Sequence, residues 1–542
     1  MTRNFVLALT MAASLAGQTD KPAPKTKDMC APGASRVSPS LPAKLLPGQG
    51  SEFIHFPITT SNPEAQKFFT QGVAQMHSFW AVEAERSFLQ AAALDPNSPM
   101  PWWGVAMVAM GDFRPRFQLQ TYSNLRNNDA FDRVEAAVRK AQELAAAGHV
   151  TDLERMYVAS IAARRDIRSK DPDAAYIQAL RAIAAKYPKE VEARSYLALH
   201  LMRGFELPGH KPREGSMEAA QMLRELMAEF PDHPGVHHYV IHGFEGSAFA
   251  RDAWQSCKRY AELVPNIPHA LHMPGHIYAQ TARWSDAVRS FADAADNELK
   301  WIRADSLYST GHHGHNVHFL STAYSFQGKT AEAVEAARSL LAFEENPREK
   351  AAIDNNRTAY RQGWFALLRA LVQNERWDEI LDGHSLPHYD KPRERAWRHW
   401  AIGLAHAAKG NAEGARKALE SMDDAIDSYQ ELVKQAAPAE LRVARQELFG
   451  HTLAARGKIN EAIDKLQVAA RRERALIYSE PPFYPRPVNE ALGKLAAAHG
   501  RIELAERAFR EALEQYPSSF MATKGLAALE KGQSSNSAGG GQ

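Results

Sequence analysis

Histidines recur at regular intervals in the middle of this 542-residue chain. His238 and His242 are four residues apart, and so are His272 and His276. A four-residue interval puts both side chains of a pair on one face of a helix, where two imidazoles can bind the same ion. The second pair follows the first by 34 residues. The two pairs are therefore predicted to occupy equivalent positions on neighbouring copies of a repeated unit.

Other candidate ligands flank these pairs. We predict metal ligation by eight histidines, namely His200, His238, His242, His269, His272, His276, His315 and His318. Glu245 is the natural carboxylate ligand or catalytic base, and Tyr278 is predicted to be a donor beside the metal with a catalytic role. His237, His312 and His313 are out of phase with the ligands, so they are expected at the surface or behind the ligand shell.

The ligand types restrict the metal. An imidazole-rich site with one or two carboxylates suits copper, iron or zinc and disfavours calcium and magnesium. The candidates outnumber the ligands of one tetrahedral ion, so mononuclear and dinuclear centres are both compatible with the sequence. Copper or iron would support oxidation and zinc would support hydrolysis. We favour metal-dependent oxidation, with a small-molecule or peptide substrate.

A sequence repeat predicts the helices that position these residues. In residues 65–98, small residues, an aromatic residue and a proline stand at positions 8, 20, 24, 27 and 32, as Gly72, Ala84, Phe88, Ala91 and Pro96. Near the C-terminus the same positions hold Gly493, Ala505, Phe509, Ala512 and Pro517. This is the spacing of a tetratricopeptide repeat (TPR). The predicted fold is all-α, a TPR-type α-solenoid forming a right-handed superhelix of about 11 helical hairpins.

In TPR proteins, positions 2, 5, 9 and 12 of each first helix face the concave groove. The central repeats begin at Pro234, Pro268 and Gly314, and histidine fills seven of their nine slots at positions 2, 5 and 9. A His-rich groove is therefore predicted at about 195–325. The alternative is a non-catalytic scaffold that binds a partner protein or peptide, with histidines that are structural or pH-responsive.

The remaining segments indicate location and exclude some partners. Residues 1–17 read as a signal peptide, which predicts a periplasmic or secreted protein. A Pro/Lys/Ser-rich linker is predicted at 18–60, the solenoid at 61–532 and a disordered tail at 533–542. A net charge of +2 without a basic run argues against nucleic-acid binding, and no segment reaches the length of a membrane span. Of the two cysteines, Cys257 is expected to be free and buried.

Several segments carry a resemblance to known proteins: HPGVHHYVIHGFE, PHALHMPGHIY, GHNVHFL and SEPPFYPRPV. Through them the chain resembles a family of bacterial TPR proteins of largely unassigned function with a His-rich central region. It is also distantly similar to tetratricopeptide repeat protein 38. The resemblance implies the same helical-repeat fold and marks the same histidines, without naming a reaction.

Overall fold

The computed structural model describes residues 41–109, 111, 129–166, 168–206, 209–304, 308, 310–344, 358–476 and 481–539; at 129–131 and 532–539 it describes the backbone alone. Within these ranges the chain forms 23 α-helices and one hairpin of two-residue strands. The predicted all-α class is confirmed, and the small hairpin is the exception. None of these helices combines the length and the apolar run that crossing a membrane requires.

The first seven hairpins carry the central repeats. Their helices are α1 (Pro63–His77), α2 (Ala81–Leu94), α3 (Met100–Ala109), α4 (Asp129–Ala147), α5 (Asp152–Arg165), α6 (Pro172–Lys186), α7 (Val191–Leu201), α8 (Ser216–Glu229), α9 (Pro234–Phe244), α10 (Trp254–Leu263), α11 (Pro268–Gln280), α12 (Trp284–Ala304), α13 (Thr310–Phe326) and α14 (Thr330–Leu340). Short 3-10 helices form at Ser51–Phe53 and Ala250–Ala253. Strands β1 (Phe205–Glu206) and β2 (Lys211–Pro212) pair antiparallel between α7 and α8.

The C-terminal helices continue the same pattern. They are α15 (Ala359–Gln373), α16 (Trp377–Leu381), α17 (Pro392–Ala408), α18 (Ala412–Val433), α19 (Ala439–Ala455), α20 (Ile459–Arg474), α21 (Val488–Ala498), α22 (Ile502–Gln515) and α23 (Phe520–Gly539). Each odd-numbered helix packs on the next even-numbered one, and each hairpin packs on its neighbour. The described chain thus forms 11 hairpins and a closing helix, α23, as predicted for a TPR-type solenoid. The tail predicted as disordered continues α23 as far as Gly539.

Close approach of the helices explains the repeat pattern. Phe88 lies between Gly72 and Gly104, and a Cβ added at either glycine would come within 2.6 Å or 2.5 Å of its ring. Phe509 lies in the same way between Gly493 and Gly525. The glycines are needed because the aromatic ring fills the whole space between three helices.

Part of the predicted linker is packed against the solenoid. The backbone N–H of Leu46 donates to Gln71 Oε1 at 2.6 Å, and the carbonyl of Gly48 accepts from the N–H of Asn266 at 2.9 Å. Residues 41–60 therefore connect the first hairpin to the loop before α11. The predicted signal peptide and residues 18–40 lie outside the described residues.

The groove is closed where distant hairpins meet. Helix α1 contacts α9. Further along, the Trp284 indole donates to the carbonyl of Pro517 at 2.9 Å, and Phe326 stacks on Tyr516 at 4.9 Å. The first and last hairpins thus both fold onto the central repeats. These contacts cover parts of the groove predicted from the sequence.

Truncating the central ring of a repeat should be costly. We expect Phe88→Ala to lower the free energy of unfolding by about 3–5 kcal/mol, because it leaves a cavity between three helices. Phe520→Ala is a control of the same type at a side chain that is 42% exposed, and we expect about 1 kcal/mol or less. Urea denaturation followed by circular dichroism measures both. Equal losses would contradict this account of the repeat core.

Candidate metal centre

Helices α9 and α11 present their histidines in the same register. Each begins with a proline at its first position, Pro234 in α9 and Pro268 in α11. Proline is favoured there because its missing N–H would have no partner within the helix and its φ is already helical. His238 and His272 therefore occur at the same position of successive repeats, as the 34-residue interval predicts.

Three imidazoles converge at the first site, which we call cluster one: His238, His242 and His269. Each offers a ring nitrogen, and these nitrogens all lie within 4.8 Å of one another. The Nε2 atoms of His238 and His269 are 3.2 Å apart. All three side chains are buried. The cluster combines positions 5 and 9 of one repeat with position 2 of the next.

A hydrogen bond fixes the tautomer of His238 in cluster one. His238 Nδ1 lies 2.5 Å from the carbonyl oxygen of His77, so it must carry the proton and donate it. Its Nε2 is left as a lone pair facing His269. The Nδ1 of His269 and both ring nitrogens of His242 have no hydrogen-bond partner among the described residues. Such unsatisfied buried nitrogens are rare without a ligand.

A second group of histidines lies one hairpin later, and we call it cluster two: His272, His276 and His315. The Nε2 atoms of His272 and His276 are 2.8 Å apart, and the His315 ring centroid lies 5.0 Å from that of His272. The same three repeat positions are used as in cluster one. The ring centroids of His269 and His272, one from each cluster, are 6.4 Å apart.

Glu245 stands between the two clusters at the C-terminal end of α9. Its Oε1 accepts from His276 Nδ1 at 2.8 Å, and its Oε2 lies 3.7 Å from His242 Nδ1. Burial disfavours its charge, but His276 and His242 outweigh that effect and lower the pKa of Glu245 to about 2. The ionised carboxylate orients His276 so that its Nε2 lone pair faces His272. This is the usual role of a carboxylate behind a metal-binding histidine.

Burial holds three of these imidazoles neutral. Burial lowers the pKa of His238, His269 and His272 well below the ordinary 6.5, and neighbouring histidines lower it further. A proton on any ring would be a charge in a dry interior beside other potential cations. Neutral imidazole is the form that binds metal ions.

An aromatic ring from the first hairpin covers cluster one. Phe79 is fully buried, and its centroid lies 4.4 Å from that of His238 and 5.3 Å from those of His242 and His269. Its φ of 54° is in the left-handed region, which is unfavourable for a side chain of this size. The surrounding contacts hold it there, and its ring excludes water from that side of the cluster.

Three predicted site residues lie elsewhere. The His200 ring packs edge-on against Tyr176 at 4.8 Å, beside the cationic Arg164 and Arg165. His318 donates from Nδ1 to Gln362 Oε1 at 2.7 Å. The Tyr278 ring lies under the Arg283 guanidinium at 5.1 Å, near Cys257. Each of these side chains contacts partners outside both clusters. Cys257 is free and buried, as expected.

The three out-of-phase histidines are buried rather than at the surface. His237 bonds Ser256 Oγ at 3.0 Å and the carbonyl of Pro231 at 2.7 Å. His312 pairs with Glu298 at 2.5 Å, and His313 Nδ1 lies 3.2 Å from the carbonyl of Ala295. Each has a structural partner of its own, which is the common fate of a buried histidine.

A histidine–carboxylate triad that the sequence reasoning missed lies beside cluster one. His77 Nε2 and His233 Nε2 donate to the two oxygens of Glu192, at 2.5 Å and 3.0 Å. The Tyr239 hydroxyl donates to His77 Nδ1, and the N–H of Val236 donates to His233 Nδ1. With every ring nitrogen satisfied, the triad is a structural junction between hairpins. The sequence feature that could have indicated the triad is His233, which caps the N-terminus of α9.

A cavity of about 340 Å³ adjoins cluster two. Phe291 and Phe319 line it, and both rings also pack on His272, at 5.1 Å and 5.0 Å between centroids. Gly246, which follows Glu245 in the chain, lines it too. Residues Pro482, Phe483 and Tyr484 of the SEPPFYPRPV segment form another part of its wall. A small molecule in this cavity would therefore be separated from His272 of cluster two by the Phe291 and Phe319 rings.

Comparisons with known proteins assign this chain to no family. No family model and no curated protein matches the chain. Similar solved structures include the P58(IPK) TPR domain, with 13% identity, coverage of 86% of this chain and 97% of that one, and a TM-score of 0.22. The Cut9–Hcn1 APC/C hetero-tetramer has 13% identity, coverage of 86% of this chain and 76% of that one, and a TM-score of 0.31. Human IFIT1 with PPP-AAAA has 14% identity, coverage of 79% of this chain and 95% of that one, and a TM-score of 0.31. The TPR assignment rests on the hairpins themselves.

Burying neutral histidines should make the metal-free protein sensitive to acid. Burial lowers the pKa of His77, His238, His269 and His272. Below about pH 6.5 the unfolded chain gains protons that the folded one does not, so stability is complete above that pH and is lost as pH falls. Each such group then removes about 1.4 kcal/mol per pH unit.

Urea denaturation with a chelator present, between about pH 7.5 and 5.5, measures this slope. A variant with His269→Asn should show a smaller slope than wild type, because one buried titrating group is gone. An unfolding free energy that stays constant over the range would show that the imidazoles are not held neutral.

Proposed function

We propose that this helical-repeat protein binds transition-metal ions at its central histidines, with cluster one as the primary site. The observation that carries the proposal is the convergence of three buried imidazoles whose ring nitrogens lie within 4.8 Å of one another. A peptide-binding scaffold would need these faces open, whereas Phe79 and the end of α1 cover them. Metal binding therefore accounts for the arrangement better than partner binding does.

The spacing in cluster one is compatible with a shared ion. Two nitrogens bound tetrahedrally at about 2.0–2.1 Å from one ion lie about 3.3 Å apart. The Nε2 atoms of His238 and His269 are separated by 3.2 Å. His238 also donates its other ring N–H to a backbone carbonyl, which is the usual support of a metal-binding imidazole. His242 supplies the third ligand with a small side-chain adjustment.

The ligand set favours copper, zinc or iron over ions that prefer oxygen. Cluster two, supported by Glu245, is the candidate second site, so we propose a centre of up to two ions. A bound copper or iron ion would supply redox chemistry, and a bound zinc ion would supply a Lewis acid. We favour oxidation of a small molecule that reaches cluster two through the adjoining cavity.

Replacing a ligand of cluster one should remove metal. We expect His238→Ala, His242→Ala and His269→Ala each to lower the metal content of untagged protein after copper or zinc loading. Double variants should lose little more than single ones because the residues share an ion. Elemental analysis after dialysis measures this content.

His237→Gln is the matched control, since His237 is on the same helix but bonds Ser256 and Pro231. It should retain the metal content of wild type. At a free metal concentration of ~100 times the dissociation constant, bound metal should stabilise wild type by about 2.7 kcal/mol. A melting temperature unmoved by copper, zinc, iron and chelators would refute the proposal.

Glu245 should support metal binding without being a ligand of cluster one. We expect Glu245→Gln to weaken metal binding at cluster two about 10–100-fold, because the amide no longer accepts strongly from His276 Nδ1. The ion at cluster one should remain. Competition titration with a chromophoric chelator resolves the two affinities. Complete loss of both ions would instead make Glu245 a shared ligand.

A further inference from the structure

The cavity beside cluster two contains a buried carboxyl group with no charged partner. Glu473 lies on its wall and is 3% exposed. Its Oε1 accepts from the Gln515 amide at 2.7 Å, whereas Oε2 is buried and has no hydrogen-bond partner among the described residues. The Gln515 amide, oriented by this bond, leaves its own Oε1 buried and without a partner. Two hydrogen-bond acceptors are therefore left unsatisfied at one place.

The charge around Glu473 is acidic. Burial, aided by Glu447 and Glu490, raises the pKa of Glu473 to about 8, although the Gln515 amide and the Val488 N–H lower it in part. Glu447 is paired with Arg486 at 2.9 Å, and Glu490 lies in the field of Arg486 and Lys494, whereas Glu473 forms no ion pair among the described residues. Burial likewise raises the pKa of Glu490 to about 7. An added positive charge would relieve this excess.

Two arginines on this side have other partners, and a third, Arg251, lines the cavity from the exposed surface. Arg369 donates to the carbonyls of Tyr484 and Pro485, at 3.1 Å and 3.2 Å. Arg474 pairs with Glu511 and Glu514, both at 3.3 Å. Glu473 is therefore the carboxyl group of this cavity that lacks a counter-charge in the described structure.

Seven aromatic side chains also line the cavity. They are Trp284, Phe291, Phe319, Phe326, Phe483, Tyr484 and Tyr516. Trp284, Phe326 and Tyr516 form a continuous stack, with centroid distances of 4.8 Å and 4.9 Å. Ring faces attract organic cations, and the volume of about 340 Å³ is within the range of small-molecule sites.

From these features we propose that the cavity binds an organic amine with an aromatic or apolar body, its ammonium group pairing with the Glu473 carboxylate. The apolar body would lie against the ring stack. This site is distinct from the histidine clusters and does not require them to hold metal. It would place an amine beside cluster two, separated from His272 by the Phe319 ring.

Titration calorimetry with three probes tests the charge requirement: 2-phenylethylamine, the uncharged 2-phenylethanol and the anionic phenylacetate. We expect the amine to bind at least about tenfold more tightly than the alcohol, and phenylacetate not to bind. Binding the ammonium should expel the Glu473 proton. The affinity should therefore rise about tenfold from pH 6 to pH 7, and buffers of different ionisation heat should report proton release.

Glu473→Gln tests the residue itself. The amide keeps the shape and the acceptor but removes the charge, so we expect amine affinity to fall about tenfold or more, to the level of the alcohol. Glu503→Gln, on the exposed surface of α22, is the matched control and should bind as wild type. Circular dichroism confirms that both variants fold.

The outcomes are distinct from those for the metal sites. Amine binding should be unchanged by a chelator and by His238→Ala, whatever their effect on metal content. Equal affinities for amine and alcohol would overturn the proposal, and so would an amine affinity unaffected by Glu473→Gln. Because the pH dependence is measured on wild type, the test stands even if Glu473→Gln fails to fold.

Discussion

The contact between the first hairpin and the fifth is the constraint on which the central site depends. The carbonyl of His77 takes the Nδ1 proton of His238, and Phe79 covers the cluster from the same turn. Gly235 permits this approach, since a Cβ there would be 2.3 Å from His77 Nδ1. Without that contact, water would reach the imidazoles and nothing would fix their protonation. The unfavourable backbone of Phe79 is retained because the contacts around it leave no alternative.

Burial has opposite consequences for two neighbouring groups of histidines. Around Glu192 every ring nitrogen has a partner, so that group serves as a junction between hairpins. In cluster one, His238 is hydrogen-bonded to the His77 carbonyl outside the cluster. Both ring nitrogens of His242 and the Nδ1 of His269 have no hydrogen-bond partner among the described residues. The number of unsatisfied nitrogens, rather than the number of histidines, separates the candidate metal site from the structural one.

Closure of the superhelix also creates the cavity. The last hairpins fold onto α12 and α13 through Trp284 and Phe326, and they enclose a space between their own loops and the central repeats. Phe319 forms a wall common to this cavity and to cluster two. A solenoid usually offers an extended concave surface. Here the chain fills that surface and leaves two small, chemically different sites within it.

The sequence by itself determined the repeat, the helices and the same-face pairs of histidines. Glycine, alanine and phenylalanine at fixed positions specify helix approach, and a 34-residue interval puts His238 and His272 in register. These features are local, because they depend on helical geometry and on neighbouring repeats. They could therefore be predicted from the sequence, as could the placement of His242, His269 and His276 at groove-facing repeat positions.

Only the tertiary structure decided which side chains meet. Positions 5 and 9 of one repeat join position 2 of the next, while His200 and His318 turn to partners of their own. His77 reaches His238 across 161 residues, and no periodicity indicates that. The path of the superhelix is the sum of small rotations at each hairpin, so a contact between the first hairpin and the fifth depends on all the interfaces between them.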